Sequence, residues 1–163
     1  MKDVTVGKVS SLTKIQKSYI AGFLDGDGTV MCLVEKHEQK RFHIRIRIVV
    51  EFTQHNDSIR ILQYLQKVIG GGKIHPSLRN VWKYSIKDQT LVKEFLKAMA
   101  PYSFLKNRQI KLALKVLSLN LLQKKGLMAA GLISNRLSGL NLRSKSRRMR
   151  GADMVREAIS RND

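Results

Sequence analysis

Asp25 and Asp27 are the residues whose types and spacing point most directly to chemistry. They flank Gly26, precede Gly28, and sit in a chain with 31 Lys and Arg against 12 Asp and Glu, a formal net charge of +19. An acidic pair is unexpected in so basic a protein. Two carboxylates brought together repel unless a cation lies between them, and hard oxygen donors suit Mg2+. The first chemistry to consider is therefore metal-dependent, on a substrate that the positive charge attracts. Nucleic acid is such a substrate.

The elements around the pair define how it is held. Thr13-Lys14-Ile15-Gln16 has the capping-box pattern, which starts a helix near Lys14 and carries it to Leu24. Ile15, Tyr19 and Phe23 recur four apart, as do Ile20 and Leu24, and are expected to face a core. Gly22 and Gly26 share one face and would let a second helix approach closely. Gly26 and Gly28 are expected to end the helix, so that Asp27 emerges where a strand begins. If two such helices pack side by side, their two Asp27 carboxylates meet.

Other readings of the aspartates fit less well. Counted from Asp25, an EF-hand loop would need glycine and glutamate where Val30 and Lys36 stand. Asp25-Gly26-Asp27-Gly28-Thr29 also matches the D-x-D-G-T stretch of haloacid dehalogenase-type phosphatases. That fold requires a parallel doubly wound sheet and a late acidic pair, whereas only Asp153, Glu157 and Asp163 follow Glu94. A plain Asp-Gly turn between helix and strand is the bland alternative.

Downstream, residues 41–53 alternate without a break. Phe42, Ile44, Ile46, Ile48, Val50 and Phe52 form one face. Arg41, His43, Arg45, Arg47, Val49, Glu51 and Thr53 form the other, the pattern of a strand with one buried side. Residues 29–37 read as its hairpin partner, joined by a turn at 38–40, with Leu33, Glu35 and His37 beside Arg45. A helix from near Asp57 ends at Gly70-Gly71-Gly72, and a second hairpin follows over 73–77 and 81–87. Pro76 marks an edge. Lys73, His75, Ser77, Lys83 and Ser85 line the polar side of this hairpin. A polar sheet face of this kind is either a solvated, salt-bridged surface or a reader of base edges, since arginine pairs with guanine and glutamate accepts from cytosine. Helices are expected over 90–99, 106–122 and 127–140. Arg143-Ser144-Lys145-Ser146-Arg147-Arg148-Met149-Arg150 reads as a phosphate-binding loop or a solvated tail, anchored by a short helix over 152–159. The expected architecture is α+β: a four-stranded antiparallel sheet with one basic and one helix-covered apolar face, in a single domain over 13–163 after an extension over 1–12.

The remaining composition narrows the class. No apolar run approaches the ~20 residues of a membrane span. Residues 1–11 show neither a secretory core nor an Arg-rich transit pattern. Cys32 is the single cysteine and sits among apolar residues, so a buried thiol is expected and no disulfide or zinc pattern exists.

The stretch Ile20-Ala21-Gly22-Phe23-Leu24-Asp25-Gly26-Asp27-Gly28 resembles the LAGLIDADG motif. With the downstream order of hairpins and helices, the chain is similar to the single-motif, homodimeric LAGLIDADG homing endonucleases of algal organelle introns. The likeness covers most of 13–119 and, more loosely, the basic loop and last helix. The resemblance implies an α-β-β-α-β-β-α fold with C-terminal helices. It implies a homodimer closed through Ala21, Gly22, Asp25 and Gly26, since one copy of the motif is half a site. It also implies Mg2+ or another divalent cation such as Mn2+, held by the Asp27 carboxylate and the Gly26 carbonyl. Asp25 would be structural at the helix end, Gln54 would position water, and Lys106 would lie near the attacking water. Relatives carry a further basic residue a few positions after the glutamine, and His55, Ser58 and Arg60 all remain open for that role.

The implied activity is double-strand cleavage of a long, near-palindromic DNA, leaving 3′ overhangs. The implied setting is the chloroplast, with the mitochondrion as the second choice. Two other roles stay open: an RNA maturase of the same fold, with intron RNA as partner, and a basic structural protein, which would account for the charge but not for Asp27.

Overall fold

The computed structural model describes residues 8–141 and 150–161. The elements run α1 (Lys14–Asp27), β1 (Gly28–Lys36), β2 (Ile44–His55), α2 (Ile59–Ile69), β3 (Lys73–Pro76), β4 (Val81–Ile86), α3 (Gln89–Met99), α4 (Asn107–Val116), α5 (Lys124–Leu140) and α6 (Gly151–Ser160). Short 3-10 turns precede α1 at Val9–Ser11 and α2 at Asn56–Ser58. The strands form one four-stranded antiparallel sheet in the order β1-β2-β4-β3. This is the α+β class read from the sequence. The antiparallel sheet removes the phosphatase reading.

The chain divides into two compact units, one drawn from Met1–Thr29 and Val50–Asn107, the other from Val30–Val49 and Arg108–Asp163. In the first unit the capping box holds the start of α1. The Gln16 amide donates to Thr13 Oγ1 at 3.2 Å and the Thr13 amide donates to Gln16 Oε1 at 2.9 Å. The unit's core is aromatic at its centre: Phe23 stacks on Phe52 with ring centroids 5.6 Å apart, Phe52 stacks on Tyr84 at 6.1 Å, and Phe95 meets Phe52 edge-on at 6.2 Å. Leu62, Leu65 and Ile69 of α2 and Val92, Leu96 and Met99 of α3 complete it. Tyr84 is fully buried there, and its hydroxyl donates to the Gly71 carbonyl at 2.7 Å. β2 and β4 pair with Gln54 opposite Trp82 and Glu51 opposite Ser85.

In the second unit α5 runs along the outer edge of β1. Ser134 Oγ donates to the Cys32 carbonyl at 2.9 Å and Asn141 Nδ2 to the Val30 carbonyl at 2.8 Å. An edge strand with open carbonyls is a site for unwanted pairing, and these side chains close it. A Cβ on Gly131 would lie 3.1 Å from Ala152 Cα and 3.1 Å from Val155 Cγ2. The glycine that weakens a helix prediction over 127–140 is thus what lets α6 dock on α5. Cys32 is buried as expected, and burial pushes its thiol up to about 11 against a weaker opposing hydrogen bond from Ser134.

Several sequence expectations are corrected. α1 continues past Leu24 through Asp27, so the helix is longer than expected while the aspartate still sits at the junction with β1. Ile15 and Tyr19 are 82% and 53% exposed and do not face the core, which Ile20, Ala21 and Leu24 fill instead. β2 starts at Ile44, because the chain turns over 37–43 and His43 takes φ 52°. Arg41 and His43 are therefore loop residues: Arg41 Nη1 donates to the Leu122 carbonyl at 3.2 Å, and His43 Nδ1 lies 3.0 Å from the Glu38 carbonyl. Val49 is 0% exposed and so is not available as a contact on the sheet face. Ser77 lies beyond β3, in a turn where Arg79 and Asn80 adopt positive φ. α4 ends at Val116, where the Ser118 and Leu119 amides switch to i−3 carbonyls and Ser118 Oγ competes for the Lys115 carbonyl at 2.7 Å. Lys145, Arg147 and Arg148 lie outside the described residues.

Candidate active site

The site is built within the first unit at the C-terminal end of α1. Asp25 faces the loop that precedes α4. Its Oδ1 accepts from Ser103 Oγ at 2.5 Å and the Lys106 amide at 3.0 Å, and its Oδ2 accepts from the amides of Phe104 at 2.7 Å and Leu105 at 3.1 Å. Burial alone would raise this carboxyl, but the four donors outweigh it and hold Asp25 below its ordinary value of 3.8. With both oxygens occupied, Asp25 is an anchor for the loop and not an open ligand. Sequence reasoning missed Ser103, a buried hydroxyl that no local pattern distinguishes from a loop serine.

Asp27 is exposed on the same helix end. Gln54 Nε2 donates to Asp27 Oδ2 at 2.9 Å, which brings together residues 27 positions apart. Asp27 Oδ1 has no protein partner among the described residues. No basic residue occupies the last turn of α1. A carboxylate at the negative end of a helix dipole is disfavoured by about 0.3–1 kcal/mol when exposed, so the position suits a bound cation. The Gly26 carbonyl adds a second hard oxygen. These donors fit Mg2+ or Mn2+, but no group of three or more His, Cys, Asp or Glu that could hold a metal occurs among the described residues.

Lys106 is half-buried, and its backbone is pinned to Asp25 at the mouth of the site. Of the three residues open for the supporting basic role, His55 is engaged: its Nδ1 lies 3.1 Å from Asp57 Oδ2 and accepts from the Asp57 amide at 3.4 Å. Ser58 is exposed and makes no side-chain cap to α2. Arg60, exposed on the first turn of α2, is the cation of the three with no partner among the described residues.

The exposed side of α1 carries Ile15, Tyr19, Gly22 and Gly26, and a Cβ at either glycine would meet nothing within 4 Å. Asp25 flanks this face. Ala21, 0% exposed, is on the core side and leaves the set of surface contacts expected from the motif.

The polar residues of the sheet fall into two clusters. In the first unit Glu51 accepts from Ser85 Oγ at 2.8 Å and Lys83 Nζ at 3.3 Å, while His75 Nε2 lies 3.0 Å from Ser85 Oγ. Ser85 is buried in this network and is a support rather than a contact residue. Lys73 is exposed beside it in sequence on β3. In the second unit Glu35 bridges Arg45 and Arg47, Leu33 and His37 are half-buried, and Arg150 is exposed at the start of α6.

A helix ending in an exposed carboxylate, followed twice by a hairpin and a helix, is the arrangement of a LAGLIDADG-type nuclease fold. The family model for LAGLIDADG endonucleases matches residues 20–116, and the chain belongs to that family. It is 25% identical over 150 residues to the DNA endonuclease I-CvuI of Chlorella vulgaris, covering 91% of this chain and 92% of that one. It is 27% identical over 99 residues to the DNA endonuclease I-CreI of Chlamydomonas reinhardtii, covering 61% and 60%. The fold matches I-CvuI crystallised with its target Sro1.3 and 2 mM Ca, at TM-score 0.83 and 25% identity over 91% of this chain and 94% of that one. It also matches I-CvuI with the I-CreI target and 2 mM Mg, where the DNA is not cleaved, at TM-score 0.84 and 24% identity over 91% and 95%.

Proposed function

We propose that this protein is a site-specific DNA endonuclease that works as a homodimer on a long, near-palindromic duplex. Membership of the LAGLIDADG endonuclease family supports the activity, and the relatives it resembles are DNA endonucleases. The observation that carries the assignment is the Asp27–Gln54 pair at the end of an α1 whose glycine face is open. One chain supplies one Asp27 carboxylate, so two copies joined along α1 would complete the site.

Each residue then has a task. Asp27 and the Gly26 carbonyl would hold the divalent ion, which would supply Lewis-acid polarisation of the scissile phosphate and of the attacking water. Gln54, fixed by its bond to Asp27, positions the water that attacks phosphorus as the P–O bond to the leaving oxygen breaks. Lys106 offsets the negative charge that builds on the phosphate oxygens. Asp25 and Ser103 fix the loop that carries Lys106, and Arg60 is the cation available to support it. Arg45, Arg47, Glu51, Lys73, His75 and Lys83 face the duplex from the sheet, with Arg150 and the basic segment before it on the phosphates. Two sites cutting across the minor groove leave 3′ overhangs. The setting is an organelle intron reading frame, in the chloroplast before the mitochondrion, in keeping with the algal relatives.

The test is cleavage of a supercoiled, palindrome-rich DNA library in Mg2+ by wild type and Asp27→Asn, with the cut ends sequenced. Discrete cuts at one long motif, lost in the variant, are expected. Cutting by the variant sinks the site assignment. The maturase reading predicts binding to intron RNA that is indifferent to Asp27→Asn, together with no cutting of intronless organelle DNA.

A further inference from the structure

Arg45 and Arg47, on the second unit's part of the sheet, are not free. Glu35 lies on β1 beside β2, and Arg45 and Arg47 stand two residues apart on β2. Glu35 Oε2 accepts from Arg45 Nε at 3.3 Å and Arg45 Nη2 at 3.0 Å, and Glu35 Oε1 accepts from Arg47 Nη2 at 2.9 Å. One carboxylate thus holds two guanidinium groups. Burial alone would raise its carboxyl, but the hydrogen bonds and charges of Arg47 and Arg45 prevail and keep Glu35 below its ordinary value. It stays ionised at neutral pH with both oxygens committed. With three of its roughly four lone-pair positions already taken by the arginines, this carboxylate is directed at Arg45 and Arg47 rather than outward at a base.

The geometry says what the arginines offer instead. Arg45 gives its Nε–Nη2 edge to Glu35, which leaves the Nη1–Nη2 edge, a bidentate fork, facing away from the carboxylate. Arg47 gives one Nη2 contact to Glu35, its Nε is buried without a partner among the described residues, and its side chain keeps 22% exposure with no bond on Nη1 among those residues. Residues two apart on a strand are separated by roughly 6.8 Å, about two steps of a duplex with 3.4 Å per base. A bidentate arginine edge matches guanine O6 and N7. Without Glu35 the two like charges would splay, and each side chain would lose rotamer freedom on binding; with it they are ordered beforehand.

We propose that Glu35 is a positioning residue that fixes Arg45 and Arg47 as a ready-made pair of forks, so that each half of the target carries two guanines no more than two steps apart. This rests on the DNA-reading function proposed above and adds the bases read by this part of the sheet.

The test is selection from a DNA library with randomised half-sites, by dimeric wild type, Glu35→Gln, Arg45→Lys and Arg47→Lys. Binding is scored in Ca2+, and each variant is checked for folding by its thermal unfolding. Wild type should enrich two guanines per half-site. Glu35→Gln should lose preference at both by about tenfold, keep the rest of its profile, and bind random DNA more tightly because a negative charge is gone. Each Arg→Lys change should erase one guanine only. A Glu35→Gln protein that keeps both guanines, shifts a cytosine preference, or weakens evenly at all positions overturns the inference. Wild type that enriches no sequence overturns the DNA-reading function itself, and the inference with it.

Discussion

Asp25 and Asp27 are two residues apart on one helix end and have opposite assignments, decided by their partners. Asp27 has a single protein donor and faces solvent, so Asp27→Asn should abolish cleavage while leaving DNA affinity and thermal stability essentially unchanged. Plasmid nicking in Mg2+ and fluorescence anisotropy in Ca2+ check the two halves of that statement. Asp25 holds four donors, so Asp25→Asn should destabilise the fold by about 1–3 kcal/mol, read by denaturant unfolding. Its pH dependence follows from the lowered pKa. A carboxyl held below 3.8 in the folded protein contributes stability above that value and loses it as pH falls through the native pKa. Below about pH 4 the wild type should therefore shed stability faster than Asp25→Asn, closing the gap between them.

At the scale of elements, the glycines of α1 and α5 do different things. Gly22 and Gly26 meet nothing in their own chain. Gly22→Leu should keep or slightly raise the stability of the isolated fold, by up to ~1 kcal/mol from helix propensity. It should also abolish the dimer by sedimentation and, with it, cleavage. Gly131 faces Ala152 and Val155 at contact distance, so Gly131→Leu should cost about 1–3 kcal/mol by overpacking where α6 docks. Thermal unfolding separates these outcomes, since the first variant should melt no lower than an unassembled wild type and the second clearly lower. The sequence pattern marks Gly22 and Gly26 as a face open to a second helix and leaves Gly131 as a helix weakener. Only the neighbours seen in space tell an open face from a packed one.

For the whole molecule, charge and composition by themselves set the partner class. With a net charge of +19, DNA affinity should fall steeply with salt, log K declining linearly with log salt by about 0.9 for each phosphate neutralised. Titrations between low and physiological salt check the slope. Chelating divalent ions with EDTA should stop cutting and leave most binding, because sheet and phosphate contacts do not need the metal. A loss of binding equal to the loss of cutting would move the metal from the reaction to the interface.

Within the chain, local pattern alone determined the capping box, the alternation of β2, the glycine end of α2, the order of elements and the Asp-Gly-Asp-Gly junction. Each depends on residues within a turn or a strand of one another, where period and capping chemistry suffice. Tertiary structure decided the rest. That Ile15 and Tyr19 face outward, that Val49 is covered, and that Arg41 and His43 belong to a turn depend on what packs nearby, which helical or strand periodicity does not encode. Asp25 became an anchor because Ser103 and three amides arrive from about eighty residues away, and Glu35 became a clamp because its strand lies beside β2. Residue type and spacing determine which groups can do chemistry. Which of them are left free to do it is a matter of partners, and only the fold supplies those.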